Sequence, residues 1–533
     1  MIISNPSPKG CLCLVLHAHL PYIRHPEHEF MLEENWLFEA ITETYIPLLL
    51  VFDNLVNDRI PFRITMSLSP TLCSMLVDPL LQERYVKYID RSIECAEKEC
   101  ERTKNQPDFR ASARMYVDKF RSAKELFVDA DDCDILGHFR LLQEKGALEI
   151  IASAATHGFF PVMQVAPHAV RAQVRIGIES YYRHFNQRPK GFWLPECGYY
   201  PGVEKILDSA GVAYFFTDAH GLLFAEPRPQ YGVFAPVLCN EAPVAAFARD
   251  IESSKAVWSS REGYPGDFAY REFYRDIGFD LDMKYIRPYI DPIGIRSNTG
   301  IKYYKITGKT DHKKPYDQAE ALDRALVHAG NFMFNREKQV EYCAALMDRR
   351  PIIVAPYDAE LFGHWWYEGP DWLNYLIRKM AFEQNTVSLC TPSDYLVQNP
   401  KNQVCRPSFS SWGHKGYSEV WLDESNDWMY SPLHIMEELM ADCAKRYTKA
   451  DGLTRRALNQ MARELLLAES SDWAFIMKSG TMVNYARRRV NEHIGNFNRI
   501  FDDLQSNGLE EKNIGQLESH NNIFPDIDYR VYV

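Results

Sequence analysis

Two acidic residues, Glu196 and Asp358, have the residue type and the setting needed for acid–base chemistry. Each follows a short apolar segment and a proline. Aromatic residues lie close to both: Trp193, Tyr199, Tyr357, Trp365 and Trp366. Such a pair suits cleavage of a glycosidic bond, because one carboxylate attacks the anomeric carbon while the other carboxyl protonates the leaving oxygen. Acidic residues after strands also cap helix N-termini, and spacing alone leaves that structural role open.

Two histidines, His17 and His19, end the first apolar segment with a His-x-His spacing. Residues i and i+2 of a strand point to the same side, so both imidazoles could face one cleft. Such a pair could bind a metal ion, with His157 and His364 completing the set, or it could donate hydrogen bonds to sugar hydroxyls. The first alternative predicts a metal-dependent carbohydrate hydrolase or deacetylase built around His17, His19 and His157.

Short apolar segments precede most of these polar residues. They span residues 11–16, 62–66, 148–152, 191–194, 212–216 and 352–355. Continuously apolar strands separated by helix-length segments are typical of a parallel sheet covered on both faces. Polar residues at their carboxyl ends favour a β/α barrel, which places its chemistry on that rim. A doubly wound open sheet would also place ligands there, so it stays an alternative.

Helical patterns interrupt and then replace the strands. Residues 70–147 are predicted to form a helical insertion within a barrel domain of residues 1–400, because they contain charged, helix-periodic stretches without a strand signal. Near the end of the chain, apolar residues follow the spacing of one face of an amphipathic helix, at Val490, Ile494, Phe497, Phe501 and Leu504. Strands are expected to stop at about residue 400, and residues 401–533 are predicted to be a helical C-terminal domain.

Composition and charge exclude several classes of function. The net charge of -12 over 533 residues argues against nucleic acid and against an anionic membrane, since both need a basic surface. No apolar run is long enough to span a bilayer, and the first residues lack the features of a signal peptide. Twelve cysteines without a CxxC pair indicate reduced thiols in the cytoplasm. No glycine-rich phosphate motif is present, so no nucleotide is expected.

Several longer motifs carry a resemblance to a known family. They are HAHLPY (17–22), ATHGFFP (155–161), GFWLPECGYYPG (191–202), GYPGD (263–267), PYDAELFGHWWYEGP (356–370), SSWG (410–413) and AESSDWAFIM (468–477). In this order they resemble the conserved regions of glycoside hydrolase family 57. Within that family they are most similar to the 1,4-α-glucan branching enzymes and the AmyC-type α-amylases.

The resemblance implies an incomplete (β/α)7 barrel with a helical insertion and an all-helical C-terminal domain that closes the cleft. It implies a retaining reaction on α-glucans such as amylose, starch or glycogen-like chains, with Glu196 as nucleophile and Asp358 as acid/base. No metal and no other cofactor are expected. It also implies substrate contacts for His17, His19, Trp36, His157, His364, Trp365, Trp366, Trp412, Trp421, Asp472 and Trp473.

One segment departs from the pattern of the branching enzymes. Those members carry a mobile loop, tipped by a tyrosine, which keeps water away from the glycosyl-enzyme intermediate. Here residues 230–250 are short, and their only tyrosine, Tyr231, lies beside an apparent strand. Transfer to a sugar hydroxyl depends on excluding water. Two acceptors therefore stay open, namely a glucan 6-hydroxyl, as in a branching enzyme, or water, as in an α-amylase. A non-catalytic glucan-binding protein is a third hypothesis, which the Glu196 and Asp358 pair disfavours.

Overall fold

The protein is described by a computed structural model, which covers residues 7–259, 261–290 and 294–533. Within these ranges ten strands form one sheet. They are β1 (Gly10–Ala18), β2 (Ile64–Leu68), β3 (Leu148–Ser153), β4 (Gly191–Trp193), β5 (Tyr214–Thr217), β6 (Val237–Cys239), β7 (Ala245–Ala248), β8 (Ile352–Asp358), β9 (Val387–Leu389) and β10 (Gln403–Cys405).

Seven of these strands run parallel, in the order β7-β5-β4-β3-β2-β1-β8. β9 also pairs with β1, while β6 joins the far edge antiparallel to β7 and parallel to β10. The ends of the parallel run approach each other, because the backbone amide of Asp250, just after β7, donates to the carbonyl oxygen of Val354 in β8 at 2.8 Å. This nearly closed sheet is the incomplete (β/α)7 barrel that the resemblance implies.

The burial of the strands explains why they could be recognised. Every residue of β1 and β2 is buried, so these strands read as continuous apolar segments. All six predicted strands are present. β7, β9 and β10 were not predicted, and only the apparent strand beside Tyr231 pointed to β6. β6, β9 and β10 contain partly exposed residues and β7 is mostly alanine, a weak strand former, so none has the pattern of a buried strand. The expectation that strands stop at about residue 400 is therefore wrong by one short, partly exposed strand, β10.

Helices surround the sheet and fill its connections. Before β8 they are Asn35–Ala40, Ile46–Asn57, Pro70–Leu76, Pro79–Thr103, Pro107–Lys124, Ile135–Glu144, Phe160–Met163, Pro167–Phe185, Val203–Ser209, Ala219–Leu223, Ile251–Trp258, Ile277–Asp280, Met283–Ile286 and Gln318–Leu346. Gly369–Phe382 and Pro392–Gln398 follow β8 and β9. Four of them lie between β2 and β3, where the sequence predicts the helical insertion. That region also contacts a later segment, since the hydroxyl of Tyr116 donates to the carbonyl oxygen of Lys302 at 2.9 Å.

The last part of the chain is helical. Its helices are Tyr430–Arg446, Gly452–Ala468, Ser471–Ser479, Val483–Ser506 and Glu511–His520. The amphipathic pattern read from the sequence falls within Val483–Ser506, where Val490, Phe497 and Leu504 are buried. Across the described residues, no helix is both long and apolar enough to cross a membrane. The domain boundaries at residues 400 and 401 stay predictions.

Candidate active site

Glu196 lies just beyond the carboxyl end of β4, in a backbone conformation that non-glycine residues rarely adopt. Its φ of 60° and ψ of 25° are left-handed, and Cys197 follows with a φ of 50°. A tight turn holds this geometry, because the amide of Cys197 donates to the carbonyl oxygen of Leu194 at 2.9 Å. Such a strained backbone conformation persists only where the surrounding contacts hold it firmly, and it is typical of functional sites.

The carboxylate of Glu196 accepts hydrogen bonds from two side chains of the C-terminal part of the chain. Trp412 Nε1 lies 2.7 Å from Oε2, and Ser471 Oγ lies 3.1 Å from Oε1. Burial raises the pKa of Glu196 to about 7, although both donors and the nearby His19 favour its charged form. Glu196 is thus a desolvated carboxylate held in one orientation.

Asp358 ends β8 in a different environment. Its backbone is in register with His17 of β1. Among the described residues, no side chain or amide donates a hydrogen bond to its carboxyl group. Burial raises the pKa of Asp358 well above its ordinary value, and the charges of Glu360 and Glu196 raise it further. The environment of Asp358 therefore favours its protonated form.

Glu360, which the sequence did not single out, supports this rim. Its Oε1 accepts from the backbone amide of His19 at 3.1 Å and from the hydroxyl of Tyr45 at 2.6 Å. Burial raises the pKa of Glu360, while these donors oppose the rise. Its position two residues after Asp358 was the only signal in the sequence that could have drawn attention to it.

His19 forms an ion pair with Asp472. Its Nε2 lies 3.0 Å from Oδ2 of Asp472, and its Nδ1 lies 2.8 Å from Ser69 Oγ. Burial alone would lower the pKa of His19, but Asp472 outweighs it and the pKa is raised. Burial would likewise raise the pKa of Asp472, but His19 lowers it to about 2. Each of the two groups therefore favours the charged form of the other.

His17 and His157 are buried beside this pair and are neutral. Their Nε2 atoms lie 3.0 Å apart, so one of them donates to the other. Nδ1 of His157 lies 2.8 Å from Ser471 Oγ and 3.6 Å from Glu196 Oε1. Burial lowers the pKa of both histidines well below the usual range. Three of the four predicted histidines, His17, His19 and His157, therefore lie together. Ser471, which was not predicted, links them to Glu196.

A metal ion would find its ligands in a different set from the one the sequence suggests. The ligand atoms of His19, His157 and Asp472 lie within 4.8 Å of one another, so Asp472 takes the place expected for His17. In this structure these atoms already bond to protein groups, since His19 pairs with Asp472 and His157 contacts His17 and Ser471. The trio could hold a metal only by giving up those bonds.

His364 lies outside this group. Its Nδ1 contacts Oε2 of Glu43 at 2.6 Å, and the rest of the ring is partly exposed. Glu43 belongs to a π-helical turn, Ile41–Tyr45, a rare distortion that is frequent at functional sites. Burial would raise the pKa of Glu43, but His364 and Arg271 lower it to about 2. The sequence analysis included His364 and missed Glu43.

With this geometry established, comparison with known proteins decides the family. The sequence model described as glycosyl hydrolase family 57 matches residues 13–410. The chain belongs to glycoside hydrolase family 57. A second model, described as the C-terminal part of 1,4-alpha-glucan branching enzyme, matches residues 432–532.

Several known proteins are similar to this chain along most of their length. A 1,4-alpha-glucan branching enzyme of Thermococcus kodakarensis is 33% identical, covering 98% of this chain and 79% of that protein. The crystal structure of the alpha-amylase AmyC from Thermotoga maritima has a TM-score of 0.92 at 45% identity, covering 98% of this chain and 99% of AmyC. A family 57 branching enzyme of Pyrococcus horikoshii has a TM-score of 0.88 at 32% identity, covering 98% and 97%.

The tryptophans of this family 57 chain that were expected to contact substrate have different environments. Trp36 and Trp365 are partly exposed, and Trp412 bonds to Glu196. Three others expose at most 2% of their surface: Trp366, Trp421 and Trp473. Trp421 stacks on Phe159, and Trp473 Nε1 donates to the carbonyl oxygen of Leu467. Core packing encloses the rings of these three in this structure, and the expectation that they contact sugar stays a prediction.

The segment expected to shield the intermediate in family 57 branching enzymes points elsewhere. Residues 237–248 form the paired strands β6 and β7, and Tyr231 lies in the turn before them. The guanidinium of Arg349, just before β8, lies 5.8 Å from the centre of the Tyr231 ring. Asp358 is at the other end of β8, and seven residues of strand span about 20 Å. Tyr231 therefore lies at the end of the barrel opposite Asp358.

Proposed function

We propose that this chain is a retaining 1,4-α-glucan branching enzyme in which Glu196 is the nucleophile and Asp358 the acid/base. The observation that carries the proposal is the opposite environment of the two carboxyl groups. Glu196 receives hydrogen bonds from Trp412 and Ser471, which favour a carboxylate. Asp358 receives none from the described residues, and the charges of Glu360 and Glu196 raise its pKa more than Arg249 lowers it. A double displacement needs this division of protonation states.

The reaction takes two steps. In the first, an oxygen of Glu196 attacks the anomeric carbon of an α-1,4-linked glucose unit, while Asp358 gives its proton to the departing 4-oxygen. The glycosidic bond breaks and a glycosyl-enzyme ester forms. In the second step, Asp358, now a carboxylate, takes the proton of a glucan 6-hydroxyl. That oxygen attacks the same carbon, and Glu196 leaves as a carboxylate.

The neighbouring side chains position Glu196. Ser471 Oγ touches both Glu196 and His157, so it fixes the carboxylate relative to the histidines. The ion pair between His19 and Asp472 connects β1 to the helix Ser471–Ser479. We place the closing of the cleft in a C-terminal domain of residues 401–533, because Trp412, Ser471 and Asp472 all come from it. The barrel of residues 1–400, with its insertion of residues 70–147, contributes the two acids.

The α-glucan chain is the proposed partner, whether amylose, starch or glycogen-like. A net charge of -12 suits a neutral polymer better than nucleic acid or an anionic membrane. We place the protein in the cytoplasm because all twelve cysteines are free thiols, which persist in a reducing compartment.

Hydrolysis is the second candidate, and two observations favour it. Tyr231 lies too far from Asp358 to cover the intermediate, and the chain is 45% identical to a protein described as an α-amylase. A metal-dependent hydrolase is a remote third, because the three groups that could bind a metal already bond to protein groups. It predicts loss of activity with a chelator.

A proton NMR spectrum of amylose after incubation with the pure protein separates these candidates. New α-1,6 anomeric signals in excess of new reducing ends support branching. An excess of reducing ends overturns branching in favour of hydrolysis, and an unchanged spectrum rejects both. Glu226→Gln is a matched control, since that carboxylate is 78% exposed, and it should give the wild-type spectrum.

A further inference from the structure

Two buried carboxyl groups, Glu437 and Glu469, lie beside Ser471 and have no role in the proposed reaction. Glu437 belongs to the helix Tyr430–Arg446, and Glu469 follows the helix Gly452–Ala468. Their side chains are 1% and 5% exposed, and both line one small cavity with Ser470 and Ser471. Oε2 of Glu437 and Oε1 of Glu469 are buried without a hydrogen-bond partner.

No positive charge neutralises this pair. Across the described ranges, neither carboxyl group forms an ion pair with a lysine, arginine or histidine. Titratable groups beside the pair include His168, Tyr430, His434, Glu438 and Tyr532. His168 and His434 bond to the carbonyl oxygens of Glu437 and Val162, Tyr430 bonds to that of Trp421, and Glu438 is exposed. The hydroxyl of Tyr532 is buried and unpartnered.

Two ionised carboxylates cannot remain together in such a place at low cost. Burial raises the pKa of both groups, and the charge of Glu469 raises that of Glu437 further. One proton between them removes the repulsion and gives the unpartnered oxygens a donor and an acceptor.

Glu469 also connects to both sides of the active site. Its Oε2 accepts from Gln173 Nε2 at 2.7 Å, and the same nitrogen lies 2.8 Å from Thr156 Oγ1, next to His157. On its other side the chain continues into Ser470, which bonds to Asp472, and Ser471, which bonds to Glu196. A displacement of Glu469 would therefore move the partners of the nucleophile.

We propose that Glu437 and Glu469 share one proton and that this pair positions Ser470 and Ser471 for the reaction at Glu196. Neither residue touches the substrate, so both are positioning residues. The inference rests on the proposed function. It predicts that glutamine, which keeps a donor and an acceptor in the same shape, replaces either acid, and that an apolar residue does not.

Infrared difference spectroscopy of the full-length protein can detect the proton shared by Glu437 and Glu469. The spectra are recorded at about pH 7, where exposed carboxyl groups are ionised. The wild-type spectrum minus that of Glu437→Gln should contain the carbonyl stretch of one protonated carboxyl group. Glu438→Gln, the exposed neighbour, should leave that band unchanged. Loss of carboxylate bands alone, without a protonated carbonyl, would mean that both acids are ionised and would overturn the proposal. This measurement does not depend on the reaction that the protein catalyses.

Activity on amylose tests the positioning role. Glu437→Gln and Glu469→Gln should stay within about threefold of wild type in kcat. Glu469→Leu should lose at least about tenfold, because it removes the carboxylate acceptor of Gln173 Nε2. The ratio of wild-type to Glu437→Gln activity should fall as pH rises above neutral, since only the wild type loses the shared proton. Both proteins share the alkaline limb of the pH–rate profile that Asp358 causes, so this limb cancels in the ratio of their activities. A ratio independent of pH, or a Gln variant as inactive as Leu, would contradict the role.

Discussion

The ends of β4 and β8 each present one carboxyl group to the same cleft, but the two groups have different surroundings. Glu196 lies on a left-handed turn, and two donors from the C-terminal part of the chain hold its carboxylate. Asp358 continues a regular strand with a φ of -66° and a ψ of 133°. Its neighbours Glu360 and Glu196 raise its pKa instead of stabilising its charge.

This contrast shows that the roles of the two acids depend on their partners more than on the strands that carry them. Both acids follow buried strands, and burial raises the pKa of both. The difference arises because Trp412 and Ser471 reach only Glu196. Substitutions at the partners of Glu196 should therefore lower activity more than substitutions far from the two acids.

Loss of the nucleophile should have the largest effect. Glu196→Gln keeps the size and the contact with Trp412 but removes the attacking charge, so amylose turnover should fall by about four orders of magnitude or more. The rate of new α-1,6 linkage formation by NMR is the measurement, with Glu226→Gln as control. If the variant retains more than about a hundredth of wild-type activity, Glu196 is not the nucleophile.

Breaking the ion pair behind the nucleophile should have the next largest effect. Asp472→Asn removes the strongest of the charges that raise the pKa of His19, so this pKa should fall and less of the ring should be charged at neutral pH. Loss of this charge and alignment should lower kcat about 100-fold.

The same pair makes a prediction about stability. The pKa of Asp472 falls from 3.8 to about 2 on folding, so its contribution is complete above pH 3.8 and is lost as pH falls through that window. The melting temperatures of wild type and Asp472→Asn should therefore converge in acid. Asp526→Asn, on an 81% exposed carboxylate, should match wild type at every pH. An Asp472→Asn variant with wild-type kcat would show that the pair is only structural.

Removing one donor from Glu196 should shift a pKa more than it lowers a rate. Trp412 Nε1 favours the charged form of Glu196, whose pKa is about 7. Trp412→Phe should therefore raise this pKa by about one unit and move the acidic limb of the pH–rate profile to higher pH. The alkaline limb, which reports the raised pKa of Asp358, should not move. A single acidic limb in the wild-type profile would contradict the assignment of Asp358 as the acid.

The smallest effect is expected at Tyr231. Its ring lies beside Arg349 at the end of the barrel opposite Asp358, so Tyr231→Phe and Tyr231→Ala should leave the ratio of α-1,6 linkages to reducing ends unchanged. The NMR assay on amylose measures this ratio directly. A shift toward hydrolysis would mean that this segment reaches the intermediate after all.

The sequence predicted the barrel well because its strands are buried on both faces and therefore continuously apolar. It also placed the acids and histidines at strand ends, where parallel strands bring them together. It could not predict most of the partners of those residues. Ser471 lies 275 residues from Glu196 along the chain, and a serine in a helical segment carries no periodic signal. Nor could it predict that the rings of Trp366 and Trp473 are enclosed, since local sequence does not show which face of a tryptophan is covered.

The central claim, that Glu196 is the nucleophile and Asp358 the acid/base, is tested most directly by trapping the intermediate. Asp358→Asn should still react with an α-maltosyl fluoride, whose leaving group needs no acid, but it cannot activate the acceptor in the second step. Mass spectrometry of the variant should then find a glycosyl adduct on the peptide that carries Glu196. Fluoride release without an adduct, or an adduct on another residue, would contradict the account.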